Sequence, residues 1–160
     1  LKGRPFADPA TRQRFTGAFD SFGIAADRIL LRDTVSSPSE HLGLYNAVDI
    51  ALDPFPYNGT TTTCEALWMG VPTVTLRGNR HAARVGASLL THSGLSEWIA
   101  DETEPEAGTA IRQPTKIGGL AILRCGIRGI LARSPLCDAA GFTARREAAF
   151  ERMVISAANR

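Results

Sequence analysis

The chain has 160 residues, of which 44% are hydrophobic and 21% are charged, enough to build one globular domain with a buried core. Its 18 lysines and arginines against 16 acidic residues leave a net charge of +2, which excludes the strongly basic surface of a nucleic-acid-binding protein. Its three cysteines lack the spacing of a disulfide framework or zinc site, and no apolar run reaches the roughly 18 residues of a membrane span, so we expect a cytoplasmic protein.

The first residues predict the end of a strand, a helix and a second strand. Leu1 stands where a natural chain carries Met, so we expect a piece of a longer chain. Asp8 followed by Pro9 predicts a helix N-terminus, and Gly23 predicts the end of that helix. The apolar run RILLRD, residues 28–33, has the length of a strand.

A helix and a buried strand are predicted next. Ser37, Pro38 and Glu40 form a capping-box pattern, which predicts a helix up to about Ala47. The run VDIALD at residues 48–53 predicts a buried strand of a parallel sheet.

The middle of the chain keeps the same alternation of elements. After the proline-bearing loop PFPYNG, the patterns predict a helix at about 62–69, a strand at 72–76 and a helix at 81–94. Strands and helices that alternate through short connections indicate a parallel sheet with helices on both faces. The predicted fold class is α/β and Rossmann-like.

The last third of the chain has a weaker pattern. Residues 101–119 are polar and contain glycine and proline, which predicts partly irregular structure. Two helices are predicted after it, at 120–135 and 141–160. We therefore predict one Rossmann-like domain at residues 1–100 and a helical extension of it at 101–160.

Four consecutive threonines, residues 60–63, follow the strand at 48–53 and open the next helix. In parallel sheets, ligands bind at the carboxyl ends of the strands, where helix N-termini present unpaired N–H groups and a positive dipole end. The hydroxyls add donors and Gly59 lets the backbone come close, so the run is typical of a diphosphate site. The alternative is a simple N-cap, which needs only one hydroxyl.

Further polar residues lie at the same predicted edge. Glu65, one helical turn further on, either bonds a ribose diol or only complements the helix dipole. His41 lies on the preceding helix, and a lone histidine is more often a packed or surface residue than a ligand contact. Asn58 in the loop and His81 at the start of a later helix are further possible ligand contacts.

Residues 49–100 closely resemble the C-terminal catalytic region of the O-GlcNAc transferase and SPINDLY family of protein O-glycosyltransferases. The core FPY-G-TTTTCE-L-MGVP and the continuation H-A--VG-SLLT--GL look most like the SPINDLY branch. The similarity extends upstream to KGRPFADPATRQRF and downstream to ARSPLCDAAGF, so it covers most of the chain.

The resemblance implies the second half of a GT-B glycosyltransferase, truncated at its N-terminus, that holds a nucleotide-sugar donor. It implies that Thr60, Thr61 and Thr62 contact the donor diphosphate, that Glu65 bonds the ribose and that His41 lies against the base and ribose. It implies no metal and no other cofactor.

Other parts of such an enzyme are expected outside this chain. The catalytic residues on the acceptor side are unknown and precede Leu1, as do the first Rossmann-like domain and the tetratricopeptide repeats that bind protein substrates in the family. The partners expected from the resemblance are a nucleotide sugar, acceptor proteins and that missing N-terminal half, with no nucleic acid and no membrane. The chain by itself is expected to be inactive.

The donor sugar is left open by the sequence. O-GlcNAc transferases carry histidine, lysine and arginine where Thr60, Pro38 and Leu44 stand here, and the SPINDLY-like run favours GDP-fucose over UDP-GlcNAc. The predicted function is transfer of GlcNAc or fucose from a nucleotide sugar to serine or threonine hydroxyls of proteins. The alternative is a non-catalytic nucleotide-binding or vestigial fragment.

Overall fold

The computed structural model describes residues 1–100, 108 and 117–158. The chain forms two compact units, Leu1–Leu44 and Tyr45–Arg160. The predicted division into residues 1–100 and 101–160 stays a prediction. Of the segment predicted to be irregular, residues 117–119 belong to a helix, and most of the remainder lies outside the described residues.

Two capped helices organise the first unit. The Asp8 carboxylate accepts the backbone N–H of Thr11 at 2.8 Å and caps α1 (Pro9–Asp20). The Ser37 hydroxyl accepts a first-turn backbone N–H at 3.1 Å and caps α2 (Pro38–Gly43). Both helices begin where the sequence predicts. Two 3-10 helices, Arg4–Ala7 and Ala26–Arg28, also belong to this unit, and a third, Leu44–Ala47, begins at its last residue and continues into the second unit.

The strand predicted at 28–33 is wrong in extent. Its described pairing is a single parallel bridge between Lys2 and Arg32. Leu31 is buried, but its carbonyl accepts a hydrogen bond from the Arg12 guanidinium at 3.1 Å. The backbone groups of Leu30 and Arg32 bond the first residues of the chain on one edge, whereas the Arg12 guanidinium occupies the Leu31 carbonyl oxygen on the opposite edge.

The second unit contains the sheet and the remaining helices. In chain order they are β1 (Ala51–Leu52), α3 (Thr61–Trp68), β2 (Thr73–Leu76), α4 (Val85–His92), β3 (Ile99–Ala100), α5 (Ile117–Ala132) and α6 (Ala139–Ala158), with 3-10 helices at His81–Ala83 and Ser96–Trp98. No helix in the described part of the chain is both long and apolar enough to cross a membrane.

The three strands form one parallel sheet in the order β1-β2-β3. Ala51 pairs with Thr73, and Thr75 pairs with Ile99. Parallel neighbours need a crossover connection, and the chain supplies α3 between β1 and β2 and α4 between β2 and β3. The predicted α/β fold class is confirmed.

Strand β1 is shorter and more exposed than predicted. The run at 48–53 was expected to be a buried strand, yet β1 covers two residues and Leu52 is 62% exposed. Among the described strands β1 lies at the edge and pairs only with β2. A strand with one neighbour is covered on fewer sides than a central strand.

The core of the second unit joins β2 to α3, α4 and α5. Its buried side chains belong to one contiguous apolar cluster: Leu67, Val74, Leu90, Leu95, Trp98, Ile127 and Leu131. Burial of each large apolar side chain contributes about 1.5–3 kcal/mol, so this cluster is the main source of stability for the sheet and the loops that follow its strands.

Helix α3 ends in close contact with α5. Gly70 has a φ of 76°, and a Cβ atom at this position would lie 2.6 Å from the backbone oxygen of Arg124 in α5. Arg128, also in α5, donates from Nε to the carbonyl oxygen of Trp68 at 2.6 Å and stacks over its ring. The C-terminus of α3 is therefore fixed to α5, which orients the N-terminus of α3 as well.

We predict that Gly70→Ala lowers the free energy of unfolding by about 3 kcal/mol. A left-handed backbone costs about 1–2 kcal/mol for alanine, and overlap with the α5 backbone adds the rest. Gly94→Ala is a matched control, since Gly94 has a φ of 69° and a Cβ atom there would meet nothing within 4 Å. Urea denaturation should give about 1–2 kcal/mol for this control, and equal losses in the two variants would contradict the proposed contact.

Candidate functional site

The threonine run divides into three exposed residues and one buried residue. Thr60 flanks the N-terminus of α3, where its side chain makes no capping hydrogen bond, and Thr60, Thr61 and Thr62 are all exposed. Thr63 is 3% exposed, and its hydroxyl lies 3.1 Å from the carbonyl oxygen of Gly59. Simple capping by Thr60 therefore does not explain the run, and the fourth threonine stabilises the loop.

Asp53, which directly follows β1, holds this loop in place. Its buried carboxylate accepts the backbone N–H of Gly59 at 2.7 Å through Oδ1, and the Thr63 hydroxyl lies 3.4 Å from the same oxygen. Oδ2 accepts the hydroxyl of Thr75 in β2 at 2.8 Å. Burial raises the pKa of Asp53 above its ordinary value, although the hydrogen bonds from Gly59, Thr75 and Thr63 oppose that shift.

Two glycines allow the surrounding backbone to approach this carboxylate. A Cβ atom on Gly86, in the first turn of α4, would overlap Oδ2 of Asp53 and Oγ1 of Thr75. A Cβ atom on Gly59 would overlap Oγ1 of Thr62. The start of α4 therefore lies closer to Asp53 than a residue with a Cβ atom would permit, whereas Gly59 leaves room for the Thr62 hydroxyl at the start of α3.

The buried side chain of Asn58 also stabilises this loop through hydrogen bonds. Its side chain is buried, donates from Nδ2 to the carbonyl oxygen of Pro54 at 3.1 Å and accepts the backbone N–H of Gly86 at 3.3 Å. Its own backbone N–H donates to the carbonyl oxygen of Ala82 at 2.9 Å. The predicted contact between Asn58 and a ligand stays a prediction. Its observed hydrogen bonds connect the loop to the backbone of Pro54, Ala82 and Gly86.

Glu65 lies one turn into α3 and is partly buried. The hydroxyl of Tyr45 lies 3.5 Å from Oε2 of Glu65 and 3.2 Å from the carbonyl oxygen of Thr62. Burial, together with the negative charge of Glu65, raises the pKa of Tyr45 to about 12. Tyr45 is thus a neutral hydrogen-bond donor to this side of α3 throughout the neutral pH range.

His41 lies in the first unit, on α2, while the other predicted donor contacts lie in the second. Its side chain is partly buried and its Nδ1 is hydrogen-bonded to the ammonium group of Lys2. The predicted contact of His41 with a base or ribose stays a prediction.

Thr60 and His81 line one open groove of about 690 Å³ beside α4. The other polar side chains of this groove are Arg77, Arg84, Ser88, Thr91 and His92. The two arginines give the groove a positive charge next to the exposed threonines, which favours an anionic ligand there.

Sequence reasoning missed Asp53, Tyr45 and the two groove arginines. For Asp53 a signal existed, because a carboxylate directly after a strand lies at the carboxyl edge of the sheet. For Tyr45 there was none, since its partners on α3 lie 17 and 20 residues away in the chain.

We predict opposite effects for two buried threonines of β2. Thr75→Val should lower the free energy of unfolding by about 1.5–3 kcal/mol, because it leaves an oxygen of the buried Asp53 carboxylate without its donor. Thr73→Val should be neutral or stabilising, because the Thr73 hydroxyl is buried with no hydrogen-bond partner among the described residues. Chemical denaturation of both variants tests this, and a loss at Thr73 equal to that at Thr75 would contradict it.

The raised pKa of Asp53 gives a second prediction. The folded state binds the proton of the Asp53 carboxyl group more tightly than the unfolded state does. The contribution of this proton to the free energy of unfolding is therefore complete below the unfolded pKa of about 3.9 and is lost as the pH rises through the folded pKa. Asp53→Asn has no such proton, so its free energy of unfolding should rise relative to the parent protein across that window. Asp49→Asn, a change at an exposed carboxylate, serves as the control.

For the Asp53→Asn comparison, urea denaturation at a series of pH values is the measurement. A difference between parent and variant that stays constant with pH, or that changes in the opposite direction, would contradict burial as the dominant influence on Asp53.

Known proteins resemble this chain along most of its length. A protein from Petunia hybrida named "Probable UDP-N-acetylglucosamine--peptide N-acetylglucosaminyltransferase SPINDLY" is 40% identical over 153 residues, which are 96% of this chain and 16% of that protein. The SPINDLY protein of Arabidopsis thaliana is 37% identical over the same share of this chain and 17% of its own length. The chain thus spans about one sixth of the curated relatives that it matches.

A solved structure and a family model agree with these relatives. A mutant of the O-GlcNAc transferase from Thermobaculum terrenum matches with a TM-score of 0.82 and 38% identity, over 92% of this chain and 28% of that one. The model of glycosyl transferase family 41 matches residues 9–145. With its α/β fold and its exposed threonines at the start of α3, the chain belongs to glycosyl transferase family 41.

Proposed function

We propose that this chain is the donor-binding region of a protein O-glycosyltransferase, which transfers GlcNAc or fucose from a nucleotide sugar to serine or threonine hydroxyls. Family membership and the names of the relatives support glycosyl transfer to peptides. The observation that carries the proposal is the row of exposed hydroxyls at Thr60, Thr61 and Thr62, held at a helix N-terminus by a buried carboxylate.

In this proposal the diphosphate of the donor lies against the start of α3. The hydroxyls of Thr60, Thr61 and Thr62 donate to its oxygens, with the first N–H groups of the helix and the backbone beside Gly59. In the reaction the acceptor hydroxyl oxygen attacks the anomeric carbon and gives its proton to solvent, while the bond from that carbon to the diphosphate oxygen breaks and leaves its electron pair on that oxygen. Donors already in place stabilise the charge that develops on the leaving diphosphate.

The nucleoside part of the donor extends away from the diphosphate. Glu65 accepts hydrogen bonds from the ribose hydroxyls. His81 and Asn58 are additional proposed contacts, and Arg77 adds positive charge in the groove that Thr60 lines. No metal or cofactor enters this proposal, because threonine hydroxyls, helix N–H groups and arginines supply the positive and donor groups.

The donor is UDP-GlcNAc or GDP-fucose. The names of the relatives favour UDP-GlcNAc, whereas the SPINDLY-like threonine run favours GDP-fucose. Acceptor proteins and an N-terminal catalytic half are the proposed partners, and the cytoplasm is the proposed compartment.

Calorimetric titration with UDP, GDP, UDP-GlcNAc and GDP-fucose tests the donor site. We predict selective binding of one nucleotide and its sugar conjugate, and a loss of about tenfold or more in Thr61→Val, since a hydrogen bond to a charged group contributes about 1.5–3 kcal/mol. Thr143→Val makes the same chemical change at an exposed position of α6 and should leave binding unchanged.

Two outcomes would contradict the proposal. A folded protein that binds none of the four ligands would favour a vestigial fragment. Binding that is equally strong in Thr61→Val and in the parent would place the diphosphate away from α3.

A further inference from the structure

We propose that Tyr45 is a positioning residue, which orients the Glu65 carboxylate for the ribose of the donor. The inference rests on the proposed function, because it assigns a role through Glu65. Tyr45 comes from the 3-10 helix before β1, whereas Glu65 lies in α3, so the contact joins two elements on either side of the strand.

The geometry places one hydroxyl between two acceptors of α3. The Tyr45 oxygen lies 3.2 Å from the carbonyl oxygen of Thr62 and 3.5 Å from Oε2 of Glu65. Thr62 and Glu65 are three residues apart and therefore lie on the same face of the helix. The two acceptors share the single hydroxyl proton, so Tyr45 contacts the first turn of α3 and the glutamate side chain together.

The chemistry of the pair suits positioning. Tyr45 stays protonated at neutral pH because burial and the charge of Glu65 both disfavour its phenolate form. A carboxylate has about four lone-pair positions, so a bond from Tyr45 leaves it able to accept others from a diol. Restraint of the long glutamate side chain before binding reduces the conformational entropy that it loses when the ribose binds.

The simpler alternative is that Tyr45 only packs the 3-10 helix against α3. The two roles separate in Tyr45→Phe, which keeps the ring and removes only the hydroxyl. A purely structural role affects every ligand of the site alike. A role through Glu65 affects only ligands that carry the ribose hydroxyls.

The experiment compares three probes by calorimetry: the nucleoside diphosphate that the parent protein selects, its 2′,3′-dideoxy analogue and inorganic pyrophosphate. We predict that Tyr45→Phe binds the nucleoside diphosphate about threefold to tenfold more weakly, the effect of one hydrogen bond. Binding of the dideoxy analogue and of pyrophosphate should not change. Tyr57→Phe, at the exposed second tyrosine, is the matched control and should bind all three probes as the parent does.

A double-variant cycle completes the test. If Tyr45 acts through Glu65, then Tyr45→Phe should cause no further loss in a Glu65→Ala background, which has no side-chain acceptor for Tyr45 to orient. An additional loss in that background would mean that Tyr45 contacts the ligand directly and would overturn the positioning role.

The remaining outcomes separate this inference from the proposed function. If the parent prefers the nucleoside diphosphate over its dideoxy analogue and Tyr45→Phe keeps that preference in full, the inference fails and the proposed donor site stands. If Tyr45→Phe weakens all three probes equally, Tyr45 is only structural. If the folded parent binds no nucleoside diphosphate, the proposed function and the inference both fail.

Discussion

The buried carboxylate of Asp53 is the interaction on which the candidate site depends. It receives hydrogen bonds from the loop before α3 and from β2, and the start of α4 packs directly on it. A buried carboxylate is costly without such partners, and that cost shows in the raised pKa of Asp53. The same bonds that compensate for burial also determine where the loop lies, so the stability of this group and the shape of the site are coupled.

This coupling explains how the four threonines divide their roles. Thr63 is buried and its hydroxyl is hydrogen-bonded within the loop, which holds the start of α3 in place. Thr60, Thr61 and Thr62 remain exposed there. Donors that are held before the ligand arrives cost little reorganisation when charge develops on a leaving diphosphate. The close contact between Gly70 and the backbone of α5, at the other end of α3, adds to this rigidity. In the proposed enzyme, the fold supplies an anion site whose parts are fixed from both ends of one short helix.

Local rules of the sequence predicted much of this fold. The caps at Asp8 and Ser37 and the alternation of helices and strands around β2 depend on neighbours in the chain, and they agree with the structure. The lengths of the strands could not be predicted in this way, because a strand pairs with residues that are distant in the sequence. The apolar run at 28–33 shows this, since its pairing is a single bridge.

The candidate site was predictable in part for the same reason. The exposed threonines and Glu65 stand in one short motif, so the sequence alone draws attention to them. Asp53 reaches Thr75 over 22 residues, and Tyr45 reaches Glu65 over 20, so these contacts needed the folded chain. Family 41 membership, in turn, follows from a match over residues 9–145 and does not depend on any single contact.

A crystal structure of the protein with the nucleoside diphosphate that it binds would show most directly whether the buried Asp53 carboxylate holds a diphosphate site in place. We predict diphosphate oxygens within hydrogen-bonding distance of the Thr60, Thr61 and Thr62 hydroxyls, with the bonds from Gly59 and Thr75 to Asp53 unchanged. A diphosphate bound elsewhere, or a loop that leaves Asp53 in order to bind it, would contradict a site held in place by the buried carboxylate.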